Sequence, residues 1–111
     1  MPIEGATPKV GTTAALAASL VAKAGPGTLY KITGTNTLAT AQFLQVHDAA
    51  SLPADGAIPK LVIAVAGNGN IDLDYGTIGR DFSNGIVICN STTAPTKTIG
   101  AANLWLDAIF T

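Results

Sequence analysis

The stretch Leu61-Val62-Ile63-Ala64-Val65-Ala66-Gly67-Asn68-Gly69-Asn70-Ile71-Asp72-Leu73-Asp74-Tyr75 decides the fold class. Leu61 to Ala66 is apolar throughout and includes β-branched residues, which suits a central strand buried on both faces. Gly67-Asn68-Gly69-Asn70 follows with residues that tolerate positive φ, as a tight hairpin turn demands. Ile71 to Tyr75 then alternates apolar and acidic residues. That period of two belongs to a strand with one face in the core and the other in solvent.

The same grammar extends in both directions. Thr28-Leu29-Tyr30-Lys31-Ile32-Thr33 is rich in β-branched and aromatic residues, and Gly34-Thr35-Asn36 reads as a turn. In Ala41-Gln42-Phe43-Leu44-Gln45-Val46-His47-Asp48, Leu44 and Val46 share one strand face while Gln45 and His47 share the other. Residues 49–59 form a loop marked by Pro53, Asp55-Gly56 and Pro59. Beyond Tyr75 come Gly76, Gly79 and a turn at Ser83-Asn84-Gly85. A buried run at Ile86-Val87-Ile88-Cys89, a surface loop with Pro95 at Thr92–Thr98, and a closing strand from Leu104 to Phe110 complete that half. Upstream, the alanine-rich segment 14–24 fits helix or strand. Ser19, Val21 and the breaker Gly25-Pro26-Gly27 favour a strand from Ser19.

The sum is about seven strands with turn signals roughly every 8–12 residues and no βαβ spacing. The expected fold is all-β: one antiparallel β-sandwich or jelly-roll-like domain over residues 14–111. Residues 1–13, with Pro2, Gly5, Pro8 and Gly11, are expected to be an extended N-terminal arm.

The 111 residues carry a net charge of −1 and only 12% charged side chains, against 48% hydrophobic ones. A typical soluble domain has about 25% charged residues. The outer positions must therefore be filled largely by Thr, Ala, Ser, Asn and Gly, which are cheaper to desolvate than ions and suit contact with other protein. Lys9, Lys23, Lys31, Lys60, Arg80 and Lys97 are scattered, so no basic stripe follows a phosphate backbone and no nucleic-acid partner is expected. The run Ala14–Ala24 imitates a signal peptide, yet its apolar part is mostly alanine, and it is read as part of the domain. No stretch approaches the roughly 20 apolar residues of a membrane-spanning helix, so no membrane partner is expected.

Catalytic patterns are weak. His47 is the single histidine, and Asp48 falls on the opposite strand face, where it cannot orient the ring. Asp72 and Asp74 share a face, but no third oxygen ligand is placed beside them for a cation. Their spacing also fits a glycosidase pair no better than any D-x-D strand does. Gly67 and Gly69 lack the Lys-Ser/Thr end of a phosphate loop. Cys89 has no intrachain partner, and a buried inert thiol is its expected role. The reading is of a non-enzyme with no catalytic, cofactor or metal residues. Met1, Pro2 and Ile3 on the arm, with Tyr75 and Trp105, are its candidate subunit contacts. A sugar-stacking platform built from Tyr75 and Trp105 is the competing use of those aromatics.

Three segments carry a family likeness: Gly27-Thr28-Leu29-Tyr30-Lys31-Ile32; Phe43-Leu44-Gln45-Val46-His47-Asp48 with Ala49-Ala50-Ser51-Leu52-Pro53; and Gly79-Arg80-Asp81-Phe82-Ser83-Asn84-Gly85-Ile86-Val87-Ile88 with Ser91-Thr92-Thr93-Ala94-Pro95-Thr96. On these the chain from about Gly27 onward resembles the small virion proteins of tailed bacteriophages, of the capsid decoration or cement type. The resemblance implies a β-sandwich or jelly-roll with no catalytic residues. It also implies a homotrimer, made in the host cytoplasm, that binds the major capsid protein on the capsid exterior and bridges its subunits. A carbohydrate-binding or host-adhesion module, a head-fibre base and a tail protein are the alternatives.

Overall fold

The computed structural model describes residues 8–13 and 15–111. Among them nine strands form: β1 (Lys9–Thr12), β2 (Ser19–Lys23), β3 (Gly27–Asn36), β4 (Gln42–His47), β5 (Leu61–Val65), β6 (Asn70–Asp74), β7 (Arg80–Phe82), β8 (Ile86–Ser91) and β9 (Leu104–Phe110). One sheet has the order β1-β9-β3-β6, with β7 also on β3; the other has the order β2-β8-β4-β5. All pairs are antiparallel.

The pairing is nested: β1 with β9, β2 with β8, β3 with β6, β4 with β5. Successive nested pairs fall alternately into the two sheets, as in a long hairpin rolled over on itself. The β3–β9 and β4–β8 ladders then close each sheet. This is the jelly-roll arrangement.

Between the sheets sit Leu29, Ile32, Leu44, Val46, Phe82, Ile86, Ile88, Leu106 and Phe110, all buried. Burying each such side chain stabilises the fold by about 1.5–3 kcal/mol. Period two fixes the register, because a one-residue slip would turn every core side chain of a strand to the other face.

Several local expectations change. Lys9–Thr12, placed in the arm by sequence, pair with β9, from Lys9 opposite Phe110 to Thr12 opposite Asp107. Met1, Pro2 and Ile3 lie outside the described residues. Leu61–Val65 is an edge strand, not a central one: Leu61, Ile63 and Val65 face inward, while Val62 and Ala64 are exposed. Gly34-Thr35-Asn36 is not a turn but the end of β3. Gly34 lies opposite Leu106, and a Cβ there would overlap the carbonyl of Trp105, so the close strand approach requires glycine.

Gly67-Asn68-Gly69 does turn the chain, with Asn68 at φ 54° and Gly69 N–H donating to Ala66 O at 2.9 Å. It does not make a hairpin, because β5 and β6 belong to different sheets. The turn is an arch stacked on the 37–41 arch, with Asn68 N–H on Leu38 O at 2.8 Å. Buried Asn36 joins the two, its Nδ2 donating to Thr40 O at 3.2 Å and Ala66 O at 3.1 Å. Gln42 Nε2 bridges Asn36 Oδ1 and Asn103 Oδ1 at 2.7 Å each, and Asn90 Nδ2 reaches Asn103 Oδ1 at 3.0 Å. These amides close one end of the sandwich with polar bonds where the apolar core stops.

Candidate functional site

The two outer faces of the sandwich differ. On the β1-β9-β3-β6 sheet, outward positions fall in cross-strand rows. Val10, Ile109, Lys31 and Asp74 make one row, and Thr12, Asp107, Thr33 and Asp72 the next; Trp105, Thr35 and Asn70 make a third. Val10 is 65% exposed and Trp105 44% exposed, and no described segment covers them. Thr12 Oγ1 donates to Asp107 Oδ1 at 2.9 Å, so one carboxylate of this face is held by a neighbouring strand. Asp72 and Asp74 point outward from β6 opposite Thr33 and Lys31. Among the described residues no three His, Cys, Asp or Glu side chains converge as a metal site would require.

The outer face of the β2-β8-β4-β5 sheet is largely covered. Gln45 and His47, assigned to the solvent face of β4 by their alternation, are buried there, as are Val87 and Cys89 on β8. The Thr-rich loop 92–99 forms part of the cover. Gln45 Nε2 donates to the carbonyls of Thr93, Ala94 and Thr96 at 2.9, 3.2 and 3.2 Å. With its NH₂ so placed, Oε1 meets His47 Nε2 at 3.0 Å. The 54–57 segment is tied to the same loop: Gly56 N–H donates to Lys97 O at 2.7 Å and Lys97 N–H to Ala57 O at 2.8 Å. Lys97 Nζ donates to Asp55 Oδ1, which also accepts the Ile99 N–H at 3.1 Å.

Electrostatics follow from this cover. Desolvation by burial, with Lys97 nearby, pushes the His47 pKa below its ordinary 6.5 and keeps the ring neutral. Burial pushes the Cys89 thiol up to about 11. Asp48 sits at the end of β4 and accepts N–H groups from Asn84, Ser83 and Gly85, at 2.7, 3.3 and 3.3 Å. Those donors, the Asn84 N–H first, hold its carboxyl below the usual range and fix the turn between β7 and β8. Cys89 is thus a buried thiol and Asp48 the cap of the 83–85 turn, a role that sequence spacing alone did not show.

The two aromatics singled out from sequence are not brought together. Trp105 points outward from β9 opposite Thr35. Tyr75 packs on the core, donates its N–H to Tyr30 O at 2.8 Å, and receives Arg80 Nη1 on its hydroxyl at 3.3 Å. They lie on opposite faces and roughly 17 Å apart along β3, at about 3.3 Å per residue. No sugar platform joins them, and of the pair Trp105 alone stands on an open face.

A cavity of about 320 Å³ opens beside His47, beneath the 53–60 segment, with Pro53, Ala57, Ile58 and Pro59 in its wall. Ile58 is 81% exposed at its rim. This cavity had no signal in the sequence, since it depends on where loop 49–60 folds back over β4.

No known protein-family model matches the chain, and neither a curated protein nor a solved structure matches it.

Proposed function

We propose that this protein is a structural subunit that docks on an assembled protein shell and stabilises it by bridging neighbouring subunits, as the decoration or cement proteins of tailed-phage capsids do. The carrying observation is the open outer face of the β1-β9-β3-β6 sheet. There Trp105, Val10 and Ile109 stand among Thr12, Thr33 and Thr35, with Lys31 and the carboxylates of Asp72, Asp74 and Asp107 in the same rows. A large indole, β-branched side chains and short hydroxyls lose little entropy on docking, and aromatic anchors of this kind dominate protein contacts. Jelly rolls occur in viral capsid domains but also in lectins and cupins, so the fold alone selects no function. The resemblance in the segments from Gly27 onward points to the virion.

Each specific contact of this type buries on the order of 1,600 Å². Many symmetric copies on a shell would multiply a modest single-site affinity. The test is native mass followed by co-sedimentation with empty tailed-phage capsids. A stable trimer that pellets with the shells supports the proposal. A chain that stays monomeric at high concentration and remains in the supernatant overturns it.

A further inference from the structure

One edge strand of the sandwich is unlike the others. β5 pairs with β4 alone, in an unbroken register from Leu61 opposite Val46 to Val65 opposite Gln42. On its other side the main-chain N–H and C=O groups of residues 61–65 meet no partner among the described residues. Such an edge is a template for a further strand, and proteins ordinarily blunt it with charge, proline or a bulge. β6 carries Asp72 and Asp74. β2 carries Lys23 and a break of register between Val21 and Lys23. β1 starts on Lys9 and contains Gly11, and the short β7 carries Arg80 and Asp81. β5, Leu61-Val62-Ile63-Ala64-Val65, has none of these devices.

The core is unfinished along the same edge. Leu61 and Ile63 point inward and pack on the buried cluster, yet both are only half-buried, whereas Leu44 and Val46 beside them on β4 are buried. On the outer side Val62 and Ala64 are exposed, with half-buried Phe43 next to Ala64.

These features specify what fits. Unpaired main chain calls for an extended strand, half-buried Leu61 and Ile63 call for apolar side chains on its inner face, and an uncharged edge calls for an uncharged strand. β5 itself meets all three requirements. Turned antiparallel about a two-fold axis through Ile63, a second β5 sets Leu61 opposite Val65, Val62 opposite Ala64, and Ile63 opposite its own copy. Inward residues then meet inward residues, outward ones meet outward ones, and no charge lies in the seam. The same operation on β6 about Asp72 would set that carboxylate against its copy, which is destabilising.

We propose that β5 is a self-association edge: two copies of this chain pair antiparallel through Leu61–Val65 and join their β2-β8-β4-β5 sheets into one sheet across a two-fold axis. Five residues span about 17 Å, and a seam of that length buries less than the roughly 1,000 Å² of a permanent interface. The pairing is therefore reversible and grows with concentration. It uses no residue of the open β1-β9-β3-β6 face and does not depend on the shell-docking reading.

The experiment is analytical ultracentrifugation of the whole chain from micromolar to millimolar concentration, for the parent and for the double variants V62K/A64K and V62D/A64D. Both positions are exposed, so the variants should fold as the parent does. The parent should pass from one chain to two as concentration rises. Each double variant should stay single, because like charges then stand opposite each other twice across the seam. An equal mixture of the two variants should pair again, a recovery that neither misfolding nor a foreign partner strand would give. A parent that remains single at millimolar concentration, double variants that pair as the parent does, or a mixture that stays single would each overturn the seam. A trimer indifferent to these substitutions would also overturn it and leave the shell-docking reading standing. A pair that forms as described yet stays in the supernatant when capsids are pelleted would uphold the seam and remove that reading.

Discussion

Lys97 Nζ lies 2.6 Å from Asp55 Oδ1, and the two ends of this pair differ in environment: the lysine side chain is 3% exposed and the aspartate 54%. The pair joins the 54–57 segment to loop 92–99, so both layers of the cover depend on it. Removing the carboxylate leaves a buried ammonium without a counter-charge, whereas removing both charges leaves an apolar stem that packs readily. Asp55→Asn should therefore lower the urea midpoint more than the double variant Asp55→Asn/Lys97→Met. A double variant that is as unstable as the sum of the single ones would show that the two residues do not interact.

Stability should fall with acid in two stages. His47 is depressed below 6.5 by burial and by Lys97, so below pH 6.5 the unfolded chain takes up its proton first and the fold loses stability. Asp48 and Asp55 are depressed below 3.8 by their donors, the Asn84 N–H and Lys97 foremost, and their contribution is present above that value and lost beneath it. All three shifts have the same sign. A melting temperature that is level above about pH 7, declines gently below pH 6.5 and steeply below pH 4 is expected. His47→Gln should flatten the first decline while leaving the second.

Gln45 serves as a clamp. Its two N–H groups are shared among three loop carbonyls, and its oxygen meets the single histidine, all from one buried side chain. Gln45→Leu keeps the volume but removes every bond, and each buried group left unsatisfied costs about 1–3 kcal/mol. A total loss of about 3 kcal/mol or more is expected from chemical unfolding, together with faster amide exchange across residues 92–99. A loss under about 0.5 kcal/mol, the scale of an ordinary surface change, would show that the loop holds itself.

Much of this architecture was legible, and the failures have physical causes. Ile71 to Tyr75 declared itself because one face is solvated and the period shows. β7 did not, since three residues, Arg80-Asp81-Phe82, are too few for a period. β1 contains Gly11 and follows Pro8, which weakens any strand signal. Leu61–Val65 looked central because an edge strand with Val62 and Ala64 on its outer side has the same letters as a buried one. Gln45 and His47 looked solvated because their cover comes from residues some fifty positions away, which local patterning does not register. The turn at Gly67–Asn70 was correct in chemistry and wrong in consequence: which sheet receives the next strand depends on β3. The cavity beside His47 is lined by residues close in sequence, and it was hidden because the letters of loop 49–60 do not say how it folds back over β4.

Cys89 should be inert in the native protein. It is fully buried with its pKa pushed up to about 11 by desolvation, so almost no thiolate exists at pH 8. Ellman's reagent should fail to titrate it until denaturant is added, then read one thiol per chain. Fast reaction in native buffer would mean that loop 92–99 opens often enough to admit the reagent.

Trp105 and Tyr75, alike as candidate contacts in the sequence, should part company on substitution. Tyr75 is partly buried against the core and accepts Arg80, so Tyr75→Ala should cost about 2 kcal/mol, less than the roughly 3–5 kcal/mol of a fully buried aromatic. Trp105 lies on an open sheet face, so its truncation forfeits only cross-strand contacts such as that with Thr35, worth about 1 kcal/mol or less. If the face is the docking surface, Trp105→Ala should weaken self-association and shell binding by about tenfold or more, the effect of a central aromatic anchor, while its melting temperature stays near that of the parent. Paired thermal melts and co-sedimentation of the two variants separate these outcomes. A Trp105→Ala protein that pellets with capsids as the parent does would remove the β1-β9-β3-β6 face from the interface.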